Sequence, residues 1–389
     1  MNIAFVGQKG IPSVSGGVEK HVEELAVQLA AAGHDVSVYS RASYDDGAIS
    51  SYRGVSIIRL PSIATKNLDA ITSTFLACLD LMRRNIDIIH FHSIGPSSLI
   101  PLMRLLKPSA KIIATIHSQD YCQHKWGWFA RTYLKLGERI ASKFAHRTIV
   151  ISHSLDSYVR RRYDAEPTYI PNGVSESVFL EPSLITSEFG LKKNSYILAV
   201  SRLIPNKGLH HLVAAYNGLE TDKKLVIVGD SAFTDEYAQL IMSMAESNPN
   251  IIFTGRRSGA ILSELFTNAA LFVHPSELEG LSIAILEALA HGKAVLASDI
   301  PENIEALKGA GFLFKNKDKR DLREQLAALL ADPASCAEVG RRGQQRVVTE
   351  HAWPAIALST EQLYREVLAQ SSARRSAWEL MAARFATFL

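Results

Sequence analysis

Two glutamates, Glu279 and Glu287, stand eight residues apart in "HPSELEGLSIAILEALAHGKAVLASDIPE" (274–302). A Gly-Leu-Ser turn follows the first, and an apolar helical pattern carries the second. Ser282 is a favourable N-cap and Gly292 a favourable stop, so a helix is predicted from Ser282 to near Gly292. Eight helical steps would hold the two carboxylates about 12 Å apart along the axis. Carboxylates that flank one glycosidic bond lie closer, roughly 5–9.5 Å apart. The pair therefore suits a long ligand gripped at two places. Between the two glutamates lies the helix N-terminus, whose unpaired N–H groups and dipole favour an anion. A ligand with hydroxyls at both ends and phosphate in the middle, a nucleotide-sugar, fits that pattern. Without such a ligand, Glu279 would cap a turn and Glu287 would form an ion pair.

Three further elements carry possible chemistry. "AVSRLIPNKGL" (199–209) sets Arg202 just after a strand and Lys207 in the following turn. Two cations at the carboxyl end of a strand face the crevice where α/β proteins bind ligands, and they can neutralise a diphosphate without metal. No D-x-D carboxylate pair is present to hold a divalent ion. The bland alternative is a pair of surface cations at a helix start. "GQKGIPSVSGGVEKHVEEL" (7–25) is a glycine-rich loop in which Gly16 and Gly17 open a helix. It departs from G-x-G-x-x-G, and no acidic residue directly follows "DVSVYS", so a dinucleotide reading is disfavoured. Bare backbone approaching a phosphate or an acceptor group fits it better. "ATIHSQDY" (114–121) ends a strand at His117, which could donate a hydrogen bond to a sugar or phosphate. His90 and His92 share one strand face; with no third ligand nearby, packing is expected of them rather than metal binding.

These residues need a scaffold, and the chain supplies one. Short β-branched runs alternate with helix-period segments: strands are predicted at 2–7, 35–40, 55–60, 86–92, 111–117, 147–152 and 167–171. The pattern restarts at 195–201, 224–230, 250–255, 270–275 and 294–299. Several runs are apolar throughout, as in strands buried on both faces of a parallel sheet. Val18, Val22, Leu25 and Leu29 stripe a helix over 18–32. Residues 173–194, polar and rich in Gly and Pro, read as a linker. Two doubly wound α/β domains follow, 1–172 and 195–352, with a ligand in the cleft between them. Beyond about 316 the chain reads as helical only, and helices from about 353 are candidates to pack back on the first domain.

At 389 residues the chain is long enough for two cores. A net charge of +3 and the lack of an aromatic-basic motif argue against nucleic acid. Three scattered cysteines support neither a disulfide framework nor zinc, so a reducing cytoplasm is expected. The N-terminal run lacks a basic leader, and no run of about 18 apolar residues could span a bilayer.

Taken together, these motifs resemble the retaining glycosyltransferases of family 4, which have the GT-B fold of two Rossmann-like domains facing across a cleft. "EGLSIAILEAL" matches their E-x7-E signature at Glu279 and Glu287. "SRLIPNKG" is similar to their G-R-L-x-x-x-K-G element, and "GG" at 16–17, "HPSELEG" and "IPNGV" also fit. Ser201, Ser282 and Ala284 depart from the commoner Gly, Gly and Pro. "GQKGIPSVSGGVEKHVEELA" and "ASDIPENIEAL" most resemble bacterial surface-polysaccharide enzymes, often rhamnosyltransferases.

The resemblance implies roles. Arg202 and Lys207 would bind the donor diphosphate, Glu287 the ribose hydroxyls and Glu279 the donor sugar. Backbone amides near Leu281, Ser282 and Ile283 would contact phosphate, and Gly16 and Gly17 would let backbone approach it. His117 would sit beside the sugar, and the base near Gly255 and Arg256. It further implies front-face substitution without a protein nucleophile, no cofactor and no metal. A sugar-nucleotide epimerase or phosphorylase of the same fold, and a non-catalytic nucleotide-sugar binder, are the alternatives.

One segment suggests a location. Over 128–147, Arg131, Lys135, Arg139, Lys143 and Arg147 recur every four residues beside Phe129, Tyr133, Leu136, Ile140 and Phe144. Packing on the chain's own sheet with a solvated basic face is the expectation. The alternative is contact with anionic lipid at the inner face of the cell membrane, where a polyprenyl-linked saccharide acceptor would be found. Trp378, Met381, Phe385 and Phe388 form a similar stripe in the tail.

Overall fold

The computed structural model describes residues 1–386 apart from 15, 45–48, 64, 66–67, 124–125 and 232–234, with side chains to residue 370. Two sheets organise the chain. The first comprises β1 (Asn2–Val6), β2 (Asp35–Arg41), β3 (Ser51–Tyr52), β4 (Val55–Leu60), β5 (Ile88–His92), β6 (Lys111–Ile116), β7 (Arg147–Val150) and β8 (Thr168–Tyr169), in the order 3-4-2-1-5-6-7-8. All its pairs are parallel except β3–β4. The second, wholly parallel, comprises β9 (Tyr196–Val200), β10 (Lys224–Val228), β11 (Ile251–Gly255), β12 (Leu271–His274), β13 (Val295–Ser298) and β14 (Phe312–Phe314), in the order 11-10-9-12-13-14.

Each order reverses at its first strand. β1 lies between β2 and β5, and β9 between β10 and β12. At such a switch point the loops leaving the carboxyl ends diverge and open a crevice. Gly16 lies in the loop after β1, His92 ends β5, and His117 lies in the loop after β6. The loops after β9 and β12 carry Arg202, Lys207 and Glu279.

The continuously apolar runs are the buried strands: Ile3, Ala4, Phe5, Val6, Ile197 and Leu198 have no exposed surface. Two short strands, β3 and β14, and the helix Leu184–Phe189 within 173–194 carry too little pattern to be read from sequence. The long helix Trp353–Ala386 returns to the first sheet and packs on the helix Gly17–Ala31. There Tyr364 Oη meets His90 Nδ1 at 2.6 Å, and Glu361 meets His34 Nε2 at 3.1 Å. The tail stripe at 378–388 lies outside the described side chains.

The helix Trp128–Phe144 packs only in part through its aromatic stripe. Leu134, Gly137, Glu138 and Ala141 point inward, while Phe129, Leu136 and Phe144 are exposed. Gly137 decides this. A Cβ there would lie 2.0 Å from the carbonyl oxygen of Ile94, so the helix seats its smallest residue against the backbone. Tyr133, whose hydroxyl donates to the Gly95 carbonyl, and Ile140 flank this seat, and Phe129, Leu136 and Phe144 turn outward. Among the described residues no helix is long and apolar enough to cross a membrane.

Candidate active site

The helix that follows Glu279 runs Ile283–Ala290, with Ser282 as N-cap accepting from Ile285 N–H at 3.5 Å and Gly292 in a left-handed conformation just beyond its end. Glu287 sits inside this helix and Glu279 in the loop before it. The two carboxylates face different surroundings. Glu279 Oε1 lies 2.5 Å from Lys207 Nζ and 2.7 Å from His274 Nε2. Burial alone would raise the Glu279 carboxyl, but the Lys207 ammonium and the His274 N–H outweigh it and hold it well below the usual carboxylate range. Burial pushes the Glu287 carboxyl up to about 7; its charged neighbours are Lys20, which opposes the rise, and Glu24, which adds to it. Both belong to the helix Gly17–Ala31 of the first sheet.

Lys207 is placed by its loop. Gly208 adopts φ +65°, and a Cβ there would meet the Pro275 carbonyl oxygen at 2.0 Å. Glu277 N–H also donates to Asn206 O at 2.9 Å. The β9 and β12 loops are thus locked together, with Lys207 on one and Glu279 on the other. Arg202 is half-buried, and its guanidinium has no hydrogen bond or ion pair with the described residues. One cation of the predicted pair is paired with a carboxylate, and the other is unengaged.

The first sheet closes over this site. A Cβ on Gly280 would lie 1.7 Å from the His117 carbonyl oxygen, so the Glu-Gly turn abuts the end of β6. Gly17 faces Ile283 across the gap, with 3.8 Å between a Cβ placed there and Ile283 Cδ1. Gly16, at φ +99°, precedes the first turn of its helix. Asn172 bridges the halves: its Nδ2 donates to Leu281 O at 2.8 Å, while its Oδ1 lies 2.9 Å from His21 Nδ1. Gly255 and Arg256 are exposed at the end of β11, Gly255 with φ +69°.

His117 is not alone. Its Nε2 lies 3.0 Å from His92 Nδ1, and its ring meets that of His21 edge-on at 4.8 Å. The expectation that His92 has no third ligand nearby is therefore corrected, because β5, β6 and the first helix converge here. One nitrogen from each of His21, His92 and His117 falls within 4.8 Å of the others. Burial keeps all three neutral, lowering His21 to about 4 and the other two well below the usual range. His92 Nε2 is buried without a partner among the described residues. His90, by contrast, is held by Tyr364 and Thr115.

His21, Asn172 and His274 are the site neighbours that sequence reasoning did not single out. His21 stands four residues after Gly17, one helical turn along, and His274 lies near the end of the strand predicted at 270–275. Those were the available signals.

Two family models tile the chain: "Glycosyltransferase Family 4" over residues 15–178 and "Glycosyl transferases group 1" over 185–346. This chain belongs to the family 4 glycosyltransferases. It is 28% identical to the alpha-maltose-1-phosphate synthase of Mycolicibacterium smegmatis over 95% of this chain and 100% of that one. It is 24% identical to the GDP-mannose-dependent alpha-(1-6)-phosphatidylinositol monomannoside mannosyltransferase of Mycobacterium tuberculosis, covering 89% of this chain and 94% of the relative. Sucrose-phosphate synthase from Thermosynechococcus elongatus superposes with a TM-score of 0.82 at 24% identity, over 95% of this glycosyltransferase and 99% of that structure. The likeness in three dimensions is one of fold: two Rossmann-like domains in the GT-B arrangement.

Proposed function

We propose that this glycosyltransferase takes a nucleotide-sugar in the cleft between its sheets and passes the sugar, with retention and without metal, to a lipid-linked saccharide in bacterial surface-polysaccharide assembly. The observation that carries the reading is the set of Arg202, Lys207 and Glu279 at the β9–β12 switch point, one cation unengaged and the other braced by a carboxylate. Arg202 and Lys207 bind the donor diphosphate and stabilise it as it leaves. The helix N-terminus at Leu281, Ser282 and Ile283 adds N–H donors, and the Gly16–Gly17 backbone approaches the same phosphates. Glu287 accepts from the ribose hydroxyls and Glu279 from the donor sugar. The base lies near Gly255 and Arg256.

His117 lies beside the sugar. One of its ring nitrogens is committed to His92, and Nδ1 has no partner among the described residues. A neutral imidazole there positions a hydroxyl rather than attacks. Glu279 has one oxygen occupied by two donors and is a poor nucleophile, which favours front-face departure of the diphosphate as the acceptor hydroxyl arrives. Positioning and charge stabilisation are then the whole of the protein's task.

Three features support a lipid-linked acceptor. Trp128 and Phe129 are 80% and 73% exposed at the start of the basic helix. Residues 95–150 hold nine Lys and Arg against two Asp and Glu, which favours an anionic surface. Leu99 of this segment, with Pro61, Ile63, Phe75 and Leu76, helps line an apolar cavity of about 490 Å³.

A calorimetric screen of UDP, GDP, TDP and ADP with and without EDTA tests the donor site. One nucleoside diphosphate should bind in both conditions, and binding by none would remove the reading. If EDTA abolished turnover, metal independence would fall, and the His21–His92–His117 cluster would be the first place to look for the ion. Proton NMR of the newly formed linkage tests retention. Equal sedimentation with anionic and neutral vesicles at low salt would sink the membrane contact.

A further inference from the structure

Glu279 is offered to the cleft in an asymmetric way. Lys207 Nζ and His274 Nε2 converge on the same oxygen, Oε1, at 2.5 and 2.7 Å. An ionised carboxylate has about four acceptor positions on two oxygens. Oε2 receives no hydrogen bond from the described residues and is not among their fully buried, unpartnered atoms. It is the oxygen left for a ligand.

Lys207 by itself does not enforce that choice. A flexible ammonium on four methylenes is attracted to both oxygens, and rotation of the carboxylate about its last bond would let it share them. His274 removes this freedom. It ends β12 with its side chain 2% exposed, and its ring lies nearly parallel to that of Phe272. Its Nε2 is also 3.0 Å from Ser276 Oγ, and the Ser276 carbonyl is tied to the Ser298 hydroxyl at the end of β13. A carboxylate can only accept, so Nε2 must carry the proton in this contact. Burial keeps the imidazole from gaining a second proton, even though Glu279 favours one.

We propose that His274 is a positioning residue, whose Nε2–H pins Oε1 of Glu279 so that Oε2 faces the cleft as the acceptor for a donor-sugar hydroxyl. The proposal rests on the reading of Glu279 as the sugar-binding carboxylate. Its consequence is selective: losing His274 impairs recognition of the sugar while leaving the nucleoside diphosphate bound as before, because the phosphates and nucleoside are held elsewhere.

The test compares His274→Phe, which fills the space without a donor, with His274→Gln, which restores an N–H near the Nε2 position. Calorimetry uses UDP with UDP-glucose and GDP with GDP-mannose, on the base that the wild type binds. His274→Phe should bind the diphosphate within about twofold of wild type, bind the nucleotide-sugar at least tenfold more weakly and lose at least tenfold in kcat. His274→Gln should recover most of both losses. Equal weakening of diphosphate and nucleotide-sugar would mark His274 as merely structural and overturn the proposal, as would no change in either. Should His274→Phe fail to fold, nitrogen-15 NMR of wild-type imidazoles decides instead: a neutral Nε2–H tautomer is required, and an Nδ1–H tautomer refutes it. Glu279→Gln separates the underlying reading. If it leaves sugar recognition untouched, the role given to Glu279 fails whatever the His274 tautomer.

Discussion

At the residue scale, Arg202 and Lys207 should behave differently although both are proposed to hold one diphosphate. Arg202 has no partner among the described residues, so Arg202→Ala leaves no charge stranded. Its stability should stay within about 0.5 kcal/mol of wild type, while donor diphosphate affinity falls at least tenfold. Lys207→Ala strands a buried carboxylate beside His274 and should cost about 2–3 kcal/mol in stability as well as donor affinity. Chemical denaturation paired with calorimetry separates the two, and equal stability losses would contradict the pairing. Glu287 carries a pH prediction. Its carboxyl is raised to about 7 by burial, so the nucleotide-free protein favours the protonated form below that pH. Stability from this group is fully present below its unfolded value and is lost as pH rises through about 7. The ribose contact proposed for Glu287 needs the ionised form, so donor affinity should fall about tenfold per pH unit below about 7. Glu287→Gln should abolish that slope, bind donor weakly throughout and melt higher than wild type at pH 8. An unchanged slope in the variant would assign the titration to another group.

Among the elements, the turn between β12 and its helix does the most. It must bring Glu279 to Lys207, start a helix at Ser282 and pass under the end of β6. Gly280 makes the last of these possible, since any Cβ would collide with the His117 carbonyl. Gly280→Ala should therefore fold as two intact domains with near-native circular dichroism and nucleotide binding. Turnover should drop at least a hundredfold, because the domains cannot meet over the sugar. Retained turnover would show that this contact is dispensable. The helix Trp128–Phe144 teaches the converse. Its aromatic stripe looked like the packing face, yet only part of that stripe packs, and the small residue Gly137 sets where the helix meets the backbone.

For the whole molecule, closure is held by contacts that join distant parts of the chain. The Glu305 carboxylate accepts from the N–H groups of His153 and Ser154, and Glu302 accepts from the Ser154 hydroxyl. A carboxylate from the second domain thus caps the first turn of the helix His153–Tyr163 in the first. Glu305→Ala should shift the population towards open forms. Small-angle scattering should show a larger radius of gyration without donor, and the donor KM should rise several-fold. An unchanged radius would mean that Asn172 and the 279–283 turn hold closure on their own.

The sequence by itself determined the local terms of this protein. Apolar β-branched runs specified most of the strands, Ser282 and Gly292 marked the helix beside Glu279, and the spacing of Glu279 and Glu287 suited a long ligand better than a single bond. These are short-range properties of backbone preference and hydrophobic period. Tertiary structure alone decided who meets whom. It brought Lys207 to Glu279 across 72 positions, His21 to Asn172 across 151, and His117 to a histidine cluster that no local pattern announces. It also set Glu287 against Lys20 and left Arg202 unpaired. Such pairings depend on strand order and on how closely glycine-bearing turns can approach, and neither is written in any one segment.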